Sequence, residues 1–230
     1  MAGHLKNSLM PATLPQLPSS TASPHTQSPD VPDGPDRTEA ESALLAILKE
    51  RSFKRGEFKL ASGANSDHYI DGKMSLVFSA SAHLIGEVLY ERTKDLRLDG
   101  IGGLEVGAVP MTTSAVIAYH YHGLEMEGFW VRDKTKAHGT RKLIEGNLRP
   151  GSRVAIVDDV ITGGGSSLKA VLAVREIGCE VVLVLAIVDR LAGARKLFQD
   201  NGIHQFRSVF TIRDFGVEIA DASGPEIAGG

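Results

Sequence analysis

The stretch Val154–Ser167, VAIVDDVITGGGSS, is the most informative part of the chain. Its apolar start, Val154–Val157, predicts a buried strand that ends at Val157, and the residues from about Ser166 onward predict a helix. The three glycines at 163–165 let the backbone curl so that several N–H groups point at one anion. The helix start adds unpaired amides and the positive end of the helix dipole. The stretch therefore predicts a binding site for a terminal phosphate.

Two aspartates, Asp158 and Asp159, stand between the predicted strand and the glycines. Carboxylates at this place suit ribose hydroxyls or a hydrated Mg²⁺ ion, and the hydroxyls of Thr162, Ser166 and Ser167 add hydrogen-bond donors. A P-loop is excluded because no lysine follows the glycines, and a dinucleotide-binding turn does not carry two aspartates before it. We therefore predict an enzyme that acts on a phosphorylated ribose.

The apolar pattern around this stretch predicts the fold class. A second apolar run, Val181–Val188, is separated from the first by the predicted helix Ser166–Ile177. Continuous apolar runs that alternate with helices are typical of a parallel sheet covered on both faces. We therefore expect an α/β domain with an open, doubly wound sheet and a ligand site at the carboxyl ends of its strands.

The upstream sequence predicts further elements of the same domain. Thr38 and Glu41 form a capping box that opens an amphipathic helix. The remaining elements, in chain order, are a β region with a polar turn at 57–71, a helix at 80–94, a strand at 99–104, a helix opened by Pro110, a strand at 128–131 and a polar loop at 132–147.

Composition limits the classes of function. The chain has 230 residues, 42% of them hydrophobic, and a net charge of −3, so its surface as a whole does not favour nucleic acid or an anionic membrane. The single cysteine, Cys179, excludes an internal disulfide and predicts a small buried residue in a reducing compartment. The longest apolar run is far shorter than the roughly 20 residues of a membrane-spanning helix, and the N-terminus lacks the pattern of a secretory signal. We expect a cytoplasmic protein.

The two ends of the chain differ from the middle. Residues 1–37 hold seven of the ten prolines and no aromatic residue, which predicts a disordered tail. A targeting role and an early start codon, with Met10 as an alternative start, are both open for this tail. Residues 38–220 are expected to form the domain, and residues 221–230 a flexible glycine-rich tail.

The acidic pair and glycine-rich turn resemble the phosphoribosyl-pyrophosphate motif of the type I phosphoribosyltransferases. The resemblance implies a central, mostly parallel sheet flanked by helices, with a small N-terminal hood. It also implies that the turn holds the 5′-phosphate and that Asp158 and Asp159 contact the ribose 2′- and 3′-hydroxyls directly or through Mg²⁺. The implied donor-binding residues of this motif are Asp158, Asp159, Val160, Ile161, Thr162, Gly163, Gly164, Gly165 and Ser166.

The stretch 129–146, FWVRDKTKAHGTRKLIEG, resembles the mobile catalytic loop of orotate phosphoribosyltransferases, with Arg132, Lys136 and His138 at the matching positions. From Arg132 to Lys142 there are five Lys or Arg residues and one aspartate, a local excess of +4 that suits a pyrophosphate leaving group. The resemblance implies that the three matching residues bind the donor, and that Lys136 acts in catalysis with Asp158 and Asp159.

Three other stretches are similar to the same family. The stretch 57–73 resembles the hairpin on the orotate side, which implies that Tyr69 and Ile70 line the pyrimidine. Arg190 follows a predicted strand where the family binds orotate, together with Thr162; the planar guanidinium suits a carboxylate or a ring carbonyl. The stretch 102–114 fits the pyrophosphate-binding turn.

The chain departs from the family pattern at three positions. Asp133, Ala61 and Gly107 stand where some members carry lysines. Lys134 and Lys73 are the candidates to replace these contacts.

The resemblance implies the transfer of a phosphoribosyl group from phosphoribosyl pyrophosphate to orotate, which gives orotidine 5′-monophosphate and pyrophosphate in pyrimidine synthesis. It also implies Mg²⁺ as cofactor and a homodimer in which each catalytic loop enters the neighbouring site. Two alternatives stay open: a transferase of the same fold for another base, and a non-catalytic regulator that senses ribose phosphates.

Overall fold

The computed structural model describes residues 37–59, 65–133 and 143–219. The first part of the chain forms the helix α1 (Glu39–Arg51) and the antiparallel strands β1 (Phe53–Lys59) and β2 (Asn65–Ile70). The later elements are α2 (Lys73–Leu76), α3 (Ser79–Thr93), β3 (Gly100–Leu104), α4 (Ala108–Tyr121), β4 (Glu127–Val131), β5 (Ile144–Glu145), β6 (Arg153–Ile161), α5 (Gly165–Glu176), β7 (Glu180–Asp189), α6 (Ala194–Asp200) and β8 (Phe206–Thr211).

The capping box at the start of α1 is confirmed. The backbone N–H of Glu41 donates to Thr38 Oγ1 at 3.2 Å, and the backbone N–H of Thr38 donates to Glu41 Oε2 at 3.2 Å. The other oxygen of Glu41 accepts from Arg92 Nε at 2.9 Å, which ties α1 to α3. Two amides that the helix leaves without an intrahelical partner are thus satisfied.

The main sheet has the order β5-β4-β3-β6-β7-β8 and is parallel except for β5. Strand β4 lies on one side of β3, and the later strands β6, β7 and β8 lie on the other side. The direction of winding therefore reverses between β3 and β6, and a crevice opens there outside the carboxyl ends of the two strands. Open α/β sheets bind their ligands in such a crevice.

Side chains of the central strands alternate between two hydrophobic clusters. Ala155 and Val157 of β6 pack with α1, α3 and α4, whereas Val154 and Ile156 pack with α5 and α6. Both faces of the sheet are therefore buried, which explains the unbroken apolar runs in the sequence. Cys179 is buried in the second cluster, as predicted.

The strands β1 and β2 form a separate two-stranded sheet, the hood expected before the main domain. It is attached to the core by Ile70, which is buried, and by Phe53, whose ring lies 5.4 Å from that of Phe215. The expected architecture, a central, mostly parallel sheet flanked by helices with a small N-terminal hood, is thus confirmed.

Several predicted boundaries are wrong. Strand β6 does not end at Val157 but continues through both aspartates to Ile161, because its pairing with β7 extends from Asp158–Ala186 to Ile161–Asp189. The helix α4 begins at Ala108, so Pro110 is its third residue. The region predicted as a loop at 132–147 contains β5, which pairs with β4, and β1 begins at Phe53 rather than at residue 57.

The expected tails, 1–37 and 221–230, lie outside the described residues except for Arg37, which forms an ion pair with Asp214. Disorder in both tails stays a prediction. Within the described ranges, no helix combines the length and apolar character needed to cross a membrane.

Candidate active site

The predicted residues of the phosphate turn, the two aspartates and Arg190 lie at the carboxyl ends of β6 and β7, whereas Arg132 follows β4 and Tyr69 and Ile70 belong to β2. Asp158 and Asp159 lie in the carboxyl-terminal half of β6, and the glycine-rich turn connects this strand to α5. Arg190 directly follows β7, and its backbone N–H donates to the carbonyl of Ile161 at 2.8 Å. Because β6 and β7 are parallel neighbours whose pairing ends at Ile161 and Asp189, the acidic pair, the phosphate turn and Arg190 lie at the same end of the sheet.

Asp158 is a partly buried acid with two hydrogen bonds. Its Oδ2 accepts from the Ser167 hydroxyl at 2.7 Å, and its Oδ1 accepts from the Asp159 backbone N–H at 3.0 Å. Burial raises the pKa of Asp158 to about 7, and the negative charge of Asp159 adds to the rise, whereas the Ser167 hydrogen bond opposes it. Without a nearby cation, this carboxyl is therefore protonated in about half of the molecules near neutral pH.

Asp159 lies in a slot formed by two glycines. A Cβ atom at Gly107 would stand 2.7 Å from Asp159 Oδ1, and a Cβ atom at Gly72 would overlap Oδ2. The slot holds the carboxylate with only 9% of the residue exposed. A side chain at position 107 would therefore require the Asp159 carboxylate to move.

The turn that precedes α5 is an open, amide-rich cradle. Gly164 has a left-handed conformation with a φ of 83°, and as the N-cap of α5 it offers no side chain to the first amides of the helix. A Cβ atom at Gly163 or Gly165 would meet nothing within 4 Å, and Thr162 and Ser166 are exposed beside them. Uncapped amides at a helix start, next to open space and hydroxyls, fit a phosphate group.

Arg132 lies at the base of the predicted catalytic loop. Its backbone N–H donates to the Leu143 carbonyl at 2.8 Å, and its Nη1 contacts Glu145 Oε1 at 3.4 Å. Its Nε is buried without a hydrogen-bond partner among the described residues. Lys136 and His138 lie outside the described residues, as do Ala61 and Lys134, so their roles stay predictions.

Asp133 has two partners that the sequence did not reveal. Its backbone N–H donates to Glu105 Oε1 at 3.2 Å, and its carboxylate accepts from Lys169 Nζ on α5 at 3.1 Å. The base of the loop is thereby attached both to the turn after β3 and to the helix after the phosphate cradle. Asp133 and Lys169 are 36 positions apart, and opposite charge was the one signal that could have suggested the pair.

Lys73 is the described candidate for a missing basic contact. It begins α2, next to Gly72, and its Nζ lies 3.1 Å from Asp71 Oδ1. Partial burial lowers the pKa of Lys73, but the hydrogen bond with Asp71 and the charge of Asp159 raise it, and the net shift is upward. The amine therefore stays positively charged beside the acidic pair.

The hood brings His68 to Arg190, whereas Tyr69, the next residue of β2, projects from the opposite face of the strand. His68 Nε2 lies 3.4 Å from Arg190 Nη2. Tyr69 is 39% exposed and its ring lies 5.5 Å from that of Phe58, whereas Ile70 is packed in the core. Tyr69 can therefore offer its side chain to a ligand, and Ile70 only its backbone.

No protein-family model matches the chain, but many curated proteins do. It is 44% identical over 183 residues to an orotate phosphoribosyltransferase of Bradyrhizobium diazoefficiens, covering 78% of this chain and 97% of the relative. It is 40% identical over 181 residues to the orotate phosphoribosyltransferase of Rhodopirellula baltica, covering 76% and 93%.

Solved structures agree with these relatives. The orotate phosphoribosyltransferase of Mycobacterium tuberculosis in complex with Fe(III) dicitrate superposes with a TM-score of 0.69 at 36% identity, covering 77% of this chain and 99% of that one. The same enzyme in complex with 5-phospho-α-D-ribosyl 1-diphosphate gives a TM-score of 0.65 at 34% identity, covering 77% and 99%. On the identity and coverage of these relatives, the chain belongs to the orotate phosphoribosyltransferase family.

Proposed function

We propose that the protein transfers the phosphoribosyl group of phosphoribosyl pyrophosphate to orotate, forming orotidine 5′-monophosphate and pyrophosphate in pyrimidine biosynthesis. The observation that carries this proposal is the common edge of the sheet shared by the acidic pair, the uncapped phosphate cradle and Arg190. A relative of the same family binds the donor, which supports the assignment.

Different parts of the site bind the 5′-phosphate and the ribose of the donor. The amides of 163–165 and the hydroxyls of Thr162 and Ser166 bind the 5′-phosphate, with Val160 and Ile161 leading into this turn. Asp158 and Asp159 bind the ribose hydroxyls. Because Asp158 carries a raised pKa, it takes part as an acceptor once its proton has left, which a bound cation favours.

The reaction breaks the bond between C1′ and pyrophosphate ahead of the bond to the orotate nitrogen. Positive charge develops on the ribose and negative charge on the leaving group, so catalysis consists mainly of positioning and charge stabilisation. Arg132, Lys136 and His138 stabilise the leaving pyrophosphate, and Lys73 adds positive charge beside the acids. Arg190 binds the carboxylate or a ring carbonyl of orotate, and Tyr69 packs against the ring. Exclusion of water protects the activated ribose from hydrolysis.

Mg²⁺ is part of the proposal. No cluster of three or more metal-binding side chains occurs in the described ranges, and the two carboxylates of Asp158 and Asp159 are the donor set at hand. This set fits Mg²⁺, which is commonly held by one or two carboxylates while substrate phosphates and water supply the other ligands. When bound, the ion supplies positive charge to the pyrophosphate.

We also propose a cytoplasmic homodimer in which the loop that carries Lys136 enters the neighbouring site. An apolar surface on α4 supports association, since Ile117 is 50% exposed and Tyr121 is 82% exposed. Large exposed apolar side chains that lie close together are typical of contact surfaces.

The test is an assay with phosphoribosyl pyrophosphate, Mg²⁺ and one base at a time: orotate, uracil, hypoxanthine or xanthine. We expect pyrophosphate release with orotate alone. An Asp158→Asn/Asp159→Asn variant should lose this activity, whereas Asp200→Asn, at an exposed ion pair on α6, should keep it. Turnover with a purine instead of orotate would favour the same-fold transferase for another base, and no turnover with any base would favour the regulator.

A further inference from the structure

The hood contacts the strand end that carries Arg190 through His68, a residue that the sequence did not single out. One ring nitrogen, Nε2, lies 3.4 Å from Arg190 Nη2, and the other, Nδ1, lies 2.7 Å from Asp67 Oδ1. The His68 side chain is 13% exposed, whereas that of Asp67 is 78% exposed. The imidazole therefore bridges an outer carboxylate and an inner guanidinium.

The chemistry of the two neighbours fixes the role of each ring nitrogen. A guanidinium has only donors, so Nε2 must accept from Arg190 through its lone pair. The proton of a neutral imidazole then sits on Nδ1, where it donates to the Asp67 carboxylate. The hydrogen bond from His68 lowers the pKa of Asp67, which agrees with His68 as the donor and the carboxylate as the acceptor.

The ring of His68 is also held from the side. It stacks on Phe53 with centroids 6.1 Å apart and planes 27° apart, and the residue forms part of β2, opposite Arg55 in β1. At the other end, the backbone N–H of Arg190 is bonded to β6. Both partners are thus fixed at their backbones, and the contact between them restricts the rotation of the guanidinium.

We infer that His68 is a positioning residue for orotate: it accepts one donor of Arg190 and so aims the remaining donors of the guanidinium at the bound base. This inference rests on the proposed function. A flexible arginine side chain loses conformational freedom when it binds a planar ligand. If the side chain is already restrained before binding, this loss is smaller. His68 should therefore affect the binding of orotate and leave the binding of the donor unchanged.

Two substitutions of His68 separate the hydrogen bond from the packing. His68→Phe keeps an aromatic ring against Phe53 but removes the acceptor, and we expect the KM for orotate to rise roughly tenfold, the upper end of the effect of losing prior restraint on one side chain. His68→Gln keeps an amide oxygen that can accept from Arg190, and its KM for orotate should stay within about threefold of the parent. In both variants the KM for phosphoribosyl pyrophosphate should change less than about twofold.

The measurement is steady-state kinetics on the full chain, with orotate varied at saturating donor and the donor varied at saturating orotate. Glu57→Gln, an exposed change on the same hood, is the matched control and should behave as the parent. A parent that does not use orotate overturns the proposed function and this inference together. With an active parent, equal KM values for orotate in His68→Phe and the parent, parallel rises in both KM values, or no difference between His68→Phe and His68→Gln would each overturn the inference alone.

Discussion

The position of Asp158 in the proposed donor site lowers the stability of the folded protein at neutral and alkaline pH. Its pKa of about 7 in the folded protein lies above its ordinary value of 3.8, chiefly because burial disfavours the charged form. Between these two pH values the folded state holds a proton that the unfolded state has lost. The free energy of unfolding therefore falls as the pH rises from about 4 to about 7, and the loss is complete above that range.

Asp158→Asn should remove this pH dependence. At pH 8, without donor or Mg²⁺, we expect the variant to exceed the parent in free energy of unfolding by roughly 1–3 kcal/mol, and the difference should shrink towards pH 5. Urea denaturation at several pH values measures both proteins. Asp200→Asn, whose carboxylate is exposed, should keep the pH slope of the parent; an unchanged slope in Asp158→Asn would contradict the burial argument.

The slot around Asp159 gives a second prediction for single residues. Gly107 has a helical φ of −58° that alanine adopts without strain, so Gly107→Ala acts through its Cβ atom, which would stand 2.7 Å from Asp159 Oδ1. The displaced carboxylate should lower kcat/KM for phosphoribosyl pyrophosphate by roughly ten- to a hundredfold.

The matched control is Gly86→Ala, whose Cβ atom would stand 2.5 Å from the Ser114 backbone oxygen between α3 and α4. This overlap is with backbone, which cannot rotate away, so it should lower the stability by about 1–3 kcal/mol while leaving kcat/KM unchanged. Kinetics and thermal unfolding on both variants separate the two effects. Equal catalytic losses would show that the Gly107 effect is merely structural.

At the scale of elements, Glu41 serves two elements at once, since it caps α1 and binds Arg92 of α3. Thr38→Ala removes one capping bond and should cost about 1 kcal/mol. Glu41→Ala also leaves a guanidinium with 22% side-chain exposure without its partner, which should cost about 3 kcal/mol.

Denaturant unfolding of the two single variants and the double variant forms a mutant cycle. The losses should be less than additive, because both single changes break the same capping box. Glu39→Gln, an exposed change in the same turn, should cost less than about 0.5 kcal/mol. A Glu41→Ala loss no larger than that of Thr38→Ala would exclude the link to α3.

The sequence predicts the bounds of a helix or strand well only where residues close in the sequence determine them. The capping box was predictable because Thr38 and Glu41 are three positions apart. The end of β6 was not, because the apolar run reports burial, whereas the strand is defined by hydrogen bonds to β7 that continue past Val157. The two-residue strand β5 exists only through its pairing with Trp130 and Val131, so its own sequence carries no signal.

For the whole molecule, the sequence located the site but not the contacts that build it. The acidic pair and the phosphate turn lie in one continuous stretch of sequence, so a motif could identify them. The slot around Asp159 joins Gly72 and Gly107 from two other segments, and Arg190 meets His68 across 122 positions. Contacts of that range depend on the winding of the sheet, which local patterns do not encode.

The largest-scale prediction concerns the shared site of the proposed homodimer. A Lys136→Ala chain has intact acids, and an Asp158→Asn/Asp159→Asn chain has an intact loop. If each loop serves the neighbouring site, a mixed dimer contains one complete site. Equal co-expression, with half of the dimers mixed, should then restore about a quarter of the parent activity.

Mixing Asp158→Asn chains with Asp159→Asn chains is the control, because both aspartates lie on β6 of the same subunit. No mixed dimer of these two can contain a complete acidic pair, so this mixture should show no recovery. Sedimentation of each mixture verifies that dimers form. Recovery in the first mixture alone requires the loop to cross between subunits, since a loop that served its own subunit would leave every site with one defect, and the absence of recovery in well-formed dimers would therefore contradict the shared site.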